Sequence, residues 1–415
     1  MRMFKRPTTL LLLLGCVFLS FGYTTDGGSA ISKIYLHGNT LIRTSPGHDI
    51  RFYDIANPAQ VREIGDLSIE GNSDVAVMGS IMYADQERDL VVYDISDPAN
   101  ARPLDTIANV FRRAGSQVLE DGGWTGGEGN AVGGASGCGA DGCETGGSST
   151  SSSDEWATND QGFQPFSYSA TGGGMSTPVR SAASTGSTGG SNASGGSTRE
   201  GTGGSLARFI IVANRLYCID DQNLIAFDIT QPAAPVEKSR GEVAQMIETI
   251  FYANYHLFIG GQQGVYIYDI EDNATPTFRS EFSHADRCDP VVVDGNRAYV
   301  TLRGGSPCGG FSNQMDILDV SDIDNPRLLS SYPTLDSPFG LAVKNDVAVV
   351  CDGRSGLRIL DVGNSQRVTE CSRLDDIAAY DVIWHNNTLI VSTDKGFYLY
   401  DATNPCKLKE YGLLF

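Results

Sequence analysis

The sequence predicts an all-β fold, a seven-bladed β-propeller of four-stranded antiparallel blades interrupted by one disordered Gly/Ser-rich insertion. Three observations predict it. A short apolar run ending in aspartate recurs seven times, a Gly or Asn stands in a hairpin upstream of each run, and no helical pattern of ten residues separates the strands. The last of these excludes parallel α/β folds.

The seven runs are Arg51-Phe52-Tyr53-Asp54, Val91-Val92-Tyr93-Asp94, Ile225-Ala226-Phe227-Asp228, Tyr266-Ile267-Tyr268-Asp269, Asp316-Ile317-Leu318-Asp319, Arg358-Ile359-Leu360-Asp361 and Tyr398-Leu399-Tyr400-Asp401. The intervals between their aspartates are 40, 134, 41, 50, 42 and 40. Each run is too short, and too rich in β-branched and aromatic residues, for a helix. Upstream, two apolar segments flank a turn, as in Val291-Val292-Val293-Asp294-Gly295-Asn296-Arg297-Ala298-Tyr299-Val300. The turn residue is read as Gly38, Gly79, Asn214, Asn254, Gly295, Asn345 and Asn386, all residues that reach positive φ at low cost. Downstream of Asp comes a turn often closed by proline (Ile95-Ser96-Asp97-Pro98, Ile229-Thr230-Gln231-Pro232, Ala402-Thr403-Asn404-Pro405), then a fourth short segment such as Arg327-Leu328-Leu329-Ser330-Ser331-Tyr332. Four strands in about 42 residues make one propeller blade.

The long interval is one blade plus an insertion. Residues 114–205 are mostly Gly, Ser and Thr and bury too little apolar surface to fold. Removing those 92 residues from the interval of 134 leaves a normal repeat of 42. Blades one and two therefore fall in 30–113, and blades three to seven in 206–415.

Leu90-Val91-Val92-Tyr93-Asp94-Ile95-Ser96-Asp97-Pro98 and its sister segments resemble the LVIVD repeat of bacterial and archaeal surface proteins. The resemblance covers nearly all of the chain outside the N-terminal segment and the insertion. Blade six departs from it, because Asp361-Val362-Gly363-Asn364-Ser365 lacks the proline, as does blade four with Asn273. It implies a propeller at the cell surface and supplies no catalytic residues to carry over.

The chain opens on a basic start (Arg2, Lys5, Arg6) and an apolar run from Leu10 to Phe21, the form of a secretory signal. Two processing routes stay open: lipid attachment at Cys16 in Leu13-Leu14-Gly15-Cys16, with a signal of 1–15, or cleavage after Gly22, with a signal of 1–22. Either route makes the protein exported, secreted or held at the cell envelope by a lipid anchor. A formal net charge of −20 disfavours nucleic acid.

Eight further cysteines would then sit where disulfides persist. Cys288 with Cys308, and Cys351 with Cys371, are the candidate pairs. Cys138 and Cys143 could close a small loop, and Cys218 and Cys406 have no evident partner. No paired CxxC motif marks a zinc site, and no metal or cofactor is predicted, although acidic composition leaves room for a divalent cation.

Alternating strands A to D put the A–B and C–D turns on one face of the ring, and the B–C loops and D–A links on the other. The second face collects the departures from the repeat. It is expected to carry the insertion, the long blade-five loop Gly304–Asn313 and the link Ser283–Asp289. The candidate ligand-binding residues lie there: Asp85, Glu87, Arg88, His284, Asp286, Arg287, Asp289, Arg303 and Arg354. The expected role is a non-enzymatic binding module for a protein or glycan at the cell surface. The alternative is a hydrolase or lactonase with its site at the channel mouth, and no Gly-x-Ser-x-Gly, P-loop or His-Glu-x-x-His motif points to one. The seven repeated aspartates are read as turn residues that accept backbone N–H groups.

Overall fold

The computed structural model describes residues 32–45, 49–112, 201–271, 275–283, 290–304 and 313–414. They form seven antiparallel sheets in which each strand pairs with the next along the chain. The innermost strands are Lys33–His37, Val75–Met78, Phe209–Val212, Ile247–Ala253, Val291–Asp294, Leu341–Lys344 and Ala379–His385. These strands pack against one another around the central channel, and Lys33–His37 meets Ala379–His385 to close the ring. The four main strands of each blade are one continuous stretch of chain. The first and last blades are joined by apolar packing of Ile34, Leu36, Leu41, Tyr53 and Ile55 against Ile383, Ile390, Phe397 and Leu399, and by a hydrogen bond from Ser392 Oγ to Ser32 O (2.7 Å).

Local chemistry accounts for the blades. All seven terminal aspartates accept the amide two residues on: Ala56 to Asp54 (3.0 Å), Ser96 to Asp94 (2.9 Å), Thr230 to Asp228 (2.9 Å), Glu271 to Asp269 (2.8 Å), Ser321 to Asp319 (3.0 Å), Gly363 to Asp361 (3.0 Å) and Thr403 to Asp401 (2.9 Å). In four blades the second carboxylate oxygen holds an arginine of the outermost strand, Arg62, Arg102, Arg279 or Arg327, at 2.7–3.1 Å. These contacts hold Asp54, Asp94, Asp228, Asp269, Asp319 and Asp401 below the usual carboxylate range, the hydrogen bonds to the following turn being the main cause. Every blade also carries a register shift between its third and fourth strands two residues ahead of this aspartate, for example at Ile317/Leu318. A bulge there adds local twist to the outer edge.

The A–B hairpins have positive φ at Gly38, Gly79, Asn254, Gly295, Asn345 and Asn386, as expected. Blade three differs by one residue: Ala213 takes the left-handed position (φ 52°), and Asn214 follows it. The register Val212 opposite Arg215 makes Ala213 the first turn residue, so alanine accepts the strain that Gly or Asn avoids elsewhere.

Two expectations about covalent and chain boundaries are corrected. Cys371 bonds to Cys406, not Cys351, with the Cα atoms 5.4 Å apart. Cys351 ends the second strand of blade six, inside a core with Ala342, Val349 and Leu357, whereas Cys371 lies on the outermost strand Thr369–Leu374. One intervening strand separates them, and the turn Pro405–Lys407 of blade seven brings Cys406 to the perimeter instead. Cys351 and Cys218 are buried thiols. Cys16, Cys138, Cys143, Cys288 and Cys308 lie outside the described residues.

The second correction moves the end of the insertion. Thr202–Gly203, assigned by composition to 114–205, forms a short strand against the inner edge of Lys33–His37, giving blade one a fifth strand. The chain leaves blade two on the B–C face, where Phe111 donates to Arg88 O (2.9 Å) and Arg112 to Asp220 Oδ2 (3.1 Å). It returns at Gly201, beside Val77 and Leu36 near the A–B hairpins. From there it runs along the channel to Arg208 at the opposite mouth, where blade three begins. The channel is thus occupied by the protein's own backbone.

Candidate functional site

Polar residues stand at the start of the innermost strands, on the face where the D–A links enter. Strand alternation explains their position, since each interrupts or precedes an apolar run at the first residues facing the channel: Lys33 before Ile34, Asp74 before Val75, Glu248 within Ile247–Ala253, and Asp381 within Ala379–His385. Lys33 Nζ lies 3.5 Å from Asp74 Oδ2. The amides of Val75 and Arg208 also donate to the Asp74 carboxylate. Burial pushes Asp74 above the usual carboxylate range, with Lys33 and those amides working against the rise. Burial likewise raises Glu248, and the charges of Arg303, Arg208 and Lys33 oppose it. Arg208 in turn pairs with Asp221 at 3.2 Å.

Asp381 is the most confined of the group, with no exposed surface. Val382 donates to Oδ1 (3.0 Å), while Oδ2 has no hydrogen-bond partner. Gly340 and Gly204 pack directly on the carboxyl group, and a side chain at Gly204 would overlap Oδ2. Burial pushes this acid up to about 7; the Val382 amide and Lys33 lower it, and Asp74 adds to the rise. A carboxyl at that value is half protonated near neutrality, the condition a general base or acid requires. It lies beneath the channel segment, out of reach of solvent.

The expected binding residues divide by environment. Arg303 is half-buried at the mouth with its guanidinium 4.1 Å from the centre of the Phe339 ring, and it joins the electrostatics of Glu248. Glu87 and Arg354 are exposed on B–C loops, Glu87 in the left-handed conformation (φ 53°). Arg88 is half-buried, and its carbonyl receives Phe111. Asp85 is a correction: it is buried, and its carboxylate accepts from Asn72 Nδ2 (2.9 Å) and from the amides of Ser73 (2.8 Å) and Asp74 (2.9 Å). Its acceptors are consumed in holding the D–A link, so it is a positioning residue rather than a ligand contact. Asp352 does the same work in blade six, receiving the amides of Asp336 and Ser337 and the buried Arg358. His284, Asp286, Arg287 and Asp289 lie outside the described residues.

Reading single blades missed Lys33, Asp74, Arg208, Glu248 and Asp381. The signal was present as one polar residue at the head of an otherwise apolar inner strand, and aligning the seven inner strands would have exposed it. Chemically the mouth offers both charge signs at close range. Among the described residues no group of three or more His, Cys, Asp or Glu is placed to hold a metal ion.

Fold and site together define a seven-bladed propeller with a charged mouth and a channel filled by its own chain. The family model of the LVIVD repeat matches residues 71–102, in blade two, and 287–334, in blade five. No curated protein matches the chain. Among solved structures, it is similar to the periplasmic gluconolactonase of Pseudomonas aeruginosa (TM-score 0.55, 8% identity, 92% of this chain and 95% of that one). It is similar too to a protein from Lactobacillus plantarum (TM-score 0.54, 13% identity, 93% and 96%) and to the computationally designed protein Ika8 (TM-score 0.50, 10% identity, 92% and 88%). At these identities the likeness concerns the fold.

Proposed function

We propose that the protein is an exported binding module of the cell envelope, taking a protein or glycan partner on the face of the B–C loops and D–A links. The observation that carries this reading is the asymmetry of the two faces. On one, tight hairpins and the repeated Asp turns leave little variety. On the other stand non-repeating groups: the mouth charges of Arg208, Glu248 and Arg303, and the exposed loop residues Glu87 and Arg354. An arginine lying on an aromatic ring, as Arg303 lies on Phe339, is a common element of both protein and carbohydrate contacts. Export rests on the N-terminal signal pattern, and a lipid anchor on Cys16.

The test uses the mature full chain, labelled and applied to glycan arrays and to native envelope fractions, alongside Arg303→Ala/Arg354→Ala and an alanine block across His284–Asp289. Specific binding that falls by about tenfold or more in either variant, a loss of about 1.4 kcal/mol, supports the face. Binding that is unchanged in both removes it.

A second reading, a hydrolase or lactonase, draws on the Asp381 carboxyl near neutrality and on the fold shared with a gluconolactonase. Its difficulty is access, because Gly204 and Gly340 cover that acid. Lactone hydrolysis by the wild type that Asp381→Asn abolishes would favour it over the binding module.

A further inference from the structure

The segment Gly201–Ala207 is held in the channel as a strand is held in a sheet. Gly203 sits opposite Tyr35 and Thr202 opposite Leu36, antiparallel to the inner edge of blade one. The Gly201 amide donates to Val77 O of blade two (3.3 Å), the Gly204 amide to Ile34 O of blade one (3.2 Å), and the Ile250 amide of blade four to Ala207 O (2.8 Å). In blade six, the Leu341 amide donates to Ser205 Oγ (2.8 Å). Four blades thus bind the backbone and one hydroxyl of a single extended stretch.

The same wall rejects side chains. A Cβ on Gly201 would overlap the Tyr35 ring, and one on Gly204 would overlap Asp381 Oδ2. Tyr35 is itself fixed, its hydroxyl receiving the Val77 amide at 3.0 Å. Backbone hydrogen bonding supplies affinity in strand addition, and steric exclusion supplies selectivity.

We propose that the channel wall is a peptide-strand site selective for an extended Gly-x-Gly-Gly-Ser segment, occupied in cis by residues 201–207 and open to exchange with a free peptide of that sequence. This goes beyond the loop-face reading and does not depend on it. The cis segment is tethered, so its effective concentration is high and a free peptide competes poorly in the wild type. Apparent affinity falls by the fraction of molecules whose channel is vacant. Weakening the cis occupant therefore exposes the site. The tetrapeptide Thr-Gly-Gly-Ser stands also at 145–148 and 188–191; Glu144 and Ser187 precede those copies where the motif needs glycine, and both copies are altered too so that neither can stand in for 202–205.

The experiment compares the full-length wild type with the triple variant Gly147→Leu, Gly190→Leu, Gly204→Leu. Fluorescence anisotropy follows a labelled peptide with the sequence of Gly201–Arg208, and a control peptide with leucine in place of the residue matching Gly204. The triple variant is expected to bind the first peptide saturably, at least roughly tenfold more tightly than the wild type does, and to ignore the control. A folded triple variant that binds neither peptide, or both alike, overturns the proposal. Hydrogen exchange on the wild type alone serves if the variant fails to fold. The Gly204 amide should exchange slowly, and excess unlabelled peptide should speed it. An amide that exchanges at the free-peptide rate, or one that stays protected under millimolar peptide, equally overturns it.

Discussion

Asp381 shows how one residue can weigh on the fold through its protonation. Its carboxyl is buried without exposed surface and pushed up to about 7 from an ordinary value of 3.8. Between those values the unfolded chain has released the proton and the folded chain retains it, so stability falls as pH rises from about 4 to about 7. Above 7 the loss is complete. Asp381→Asn removes this dependence while keeping the shape. The stability of the variant relative to wild type should rise across that interval, toward a ceiling on the order of 4 kcal/mol. Urea unfolding at pH 4, 5.5 and 8 measures it, and a difference that stays flat with pH would refute the buried-acid account. Taking the difference cancels the opposite contributions of the turn aspartates, which do not touch Asp381, whereas Asp74 stays coupled to it.

At the scale of the element, the blade repeat is a turn device copied seven times. Asp319 accepts the Ser321 amide and hydroxyl and holds Arg327 at 3.1 Å, tying the third strand to the start of the fourth. Asp319→Ala should lower the melting temperature, as the loss of such hydrogen bonds does, without altering any ligand binding. Thermal unfolding with a parallel binding assay separates the two effects, and an unchanged melting temperature would remove the turn role. The turn was legible in the sequence, because its backbone partner lies two residues away; the arginine partner eight residues on was not read from it. Ala213 was misread for the opposite reason. The turn position there depends on which residues pair across the hairpin, Val212 with Arg215, and not on which residue type is most permissive.

For the whole molecule, the ring closes without exchanging a strand between its ends. Tyr53 of blade one meets Phe397 of blade seven edge to face, with ring centroids 4.8 Å apart. Phe397 is fully buried in this seam. Phe397→Ala should cost about 3–5 kcal/mol, the usual toll of removing a buried phenyl ring. Hydrogen exchange should show the new lability first in blades one and seven. Uniform destabilisation of all seven blades would mean that the seam is no weaker than its neighbours. The Cys371–Cys406 bond ties blade six to blade seven at the perimeter, whereas the one–seven seam is held by apolar packing and the Ser392–Ser32 hydrogen bond.

Blade number, strand order and six of the seven hairpin turn residues followed from spacing and residue type, since each is set by contacts within about 40 residues. The mouth cluster, the Cys371–Cys406 pairing and the course of Gly201–Ala207 through the channel were decided only in three dimensions. Lys33, Asp74, Arg208, Glu248 and Asp381 come from five blades, and their environments depend on how the closed ring brings inner strands together. Composition alone marked Thr202–Ser205 as unable to fold, and by itself it is. What orders it is the inner edge of blade one and a channel so narrow that glycine, the residue least able to build a core, is the one that fits.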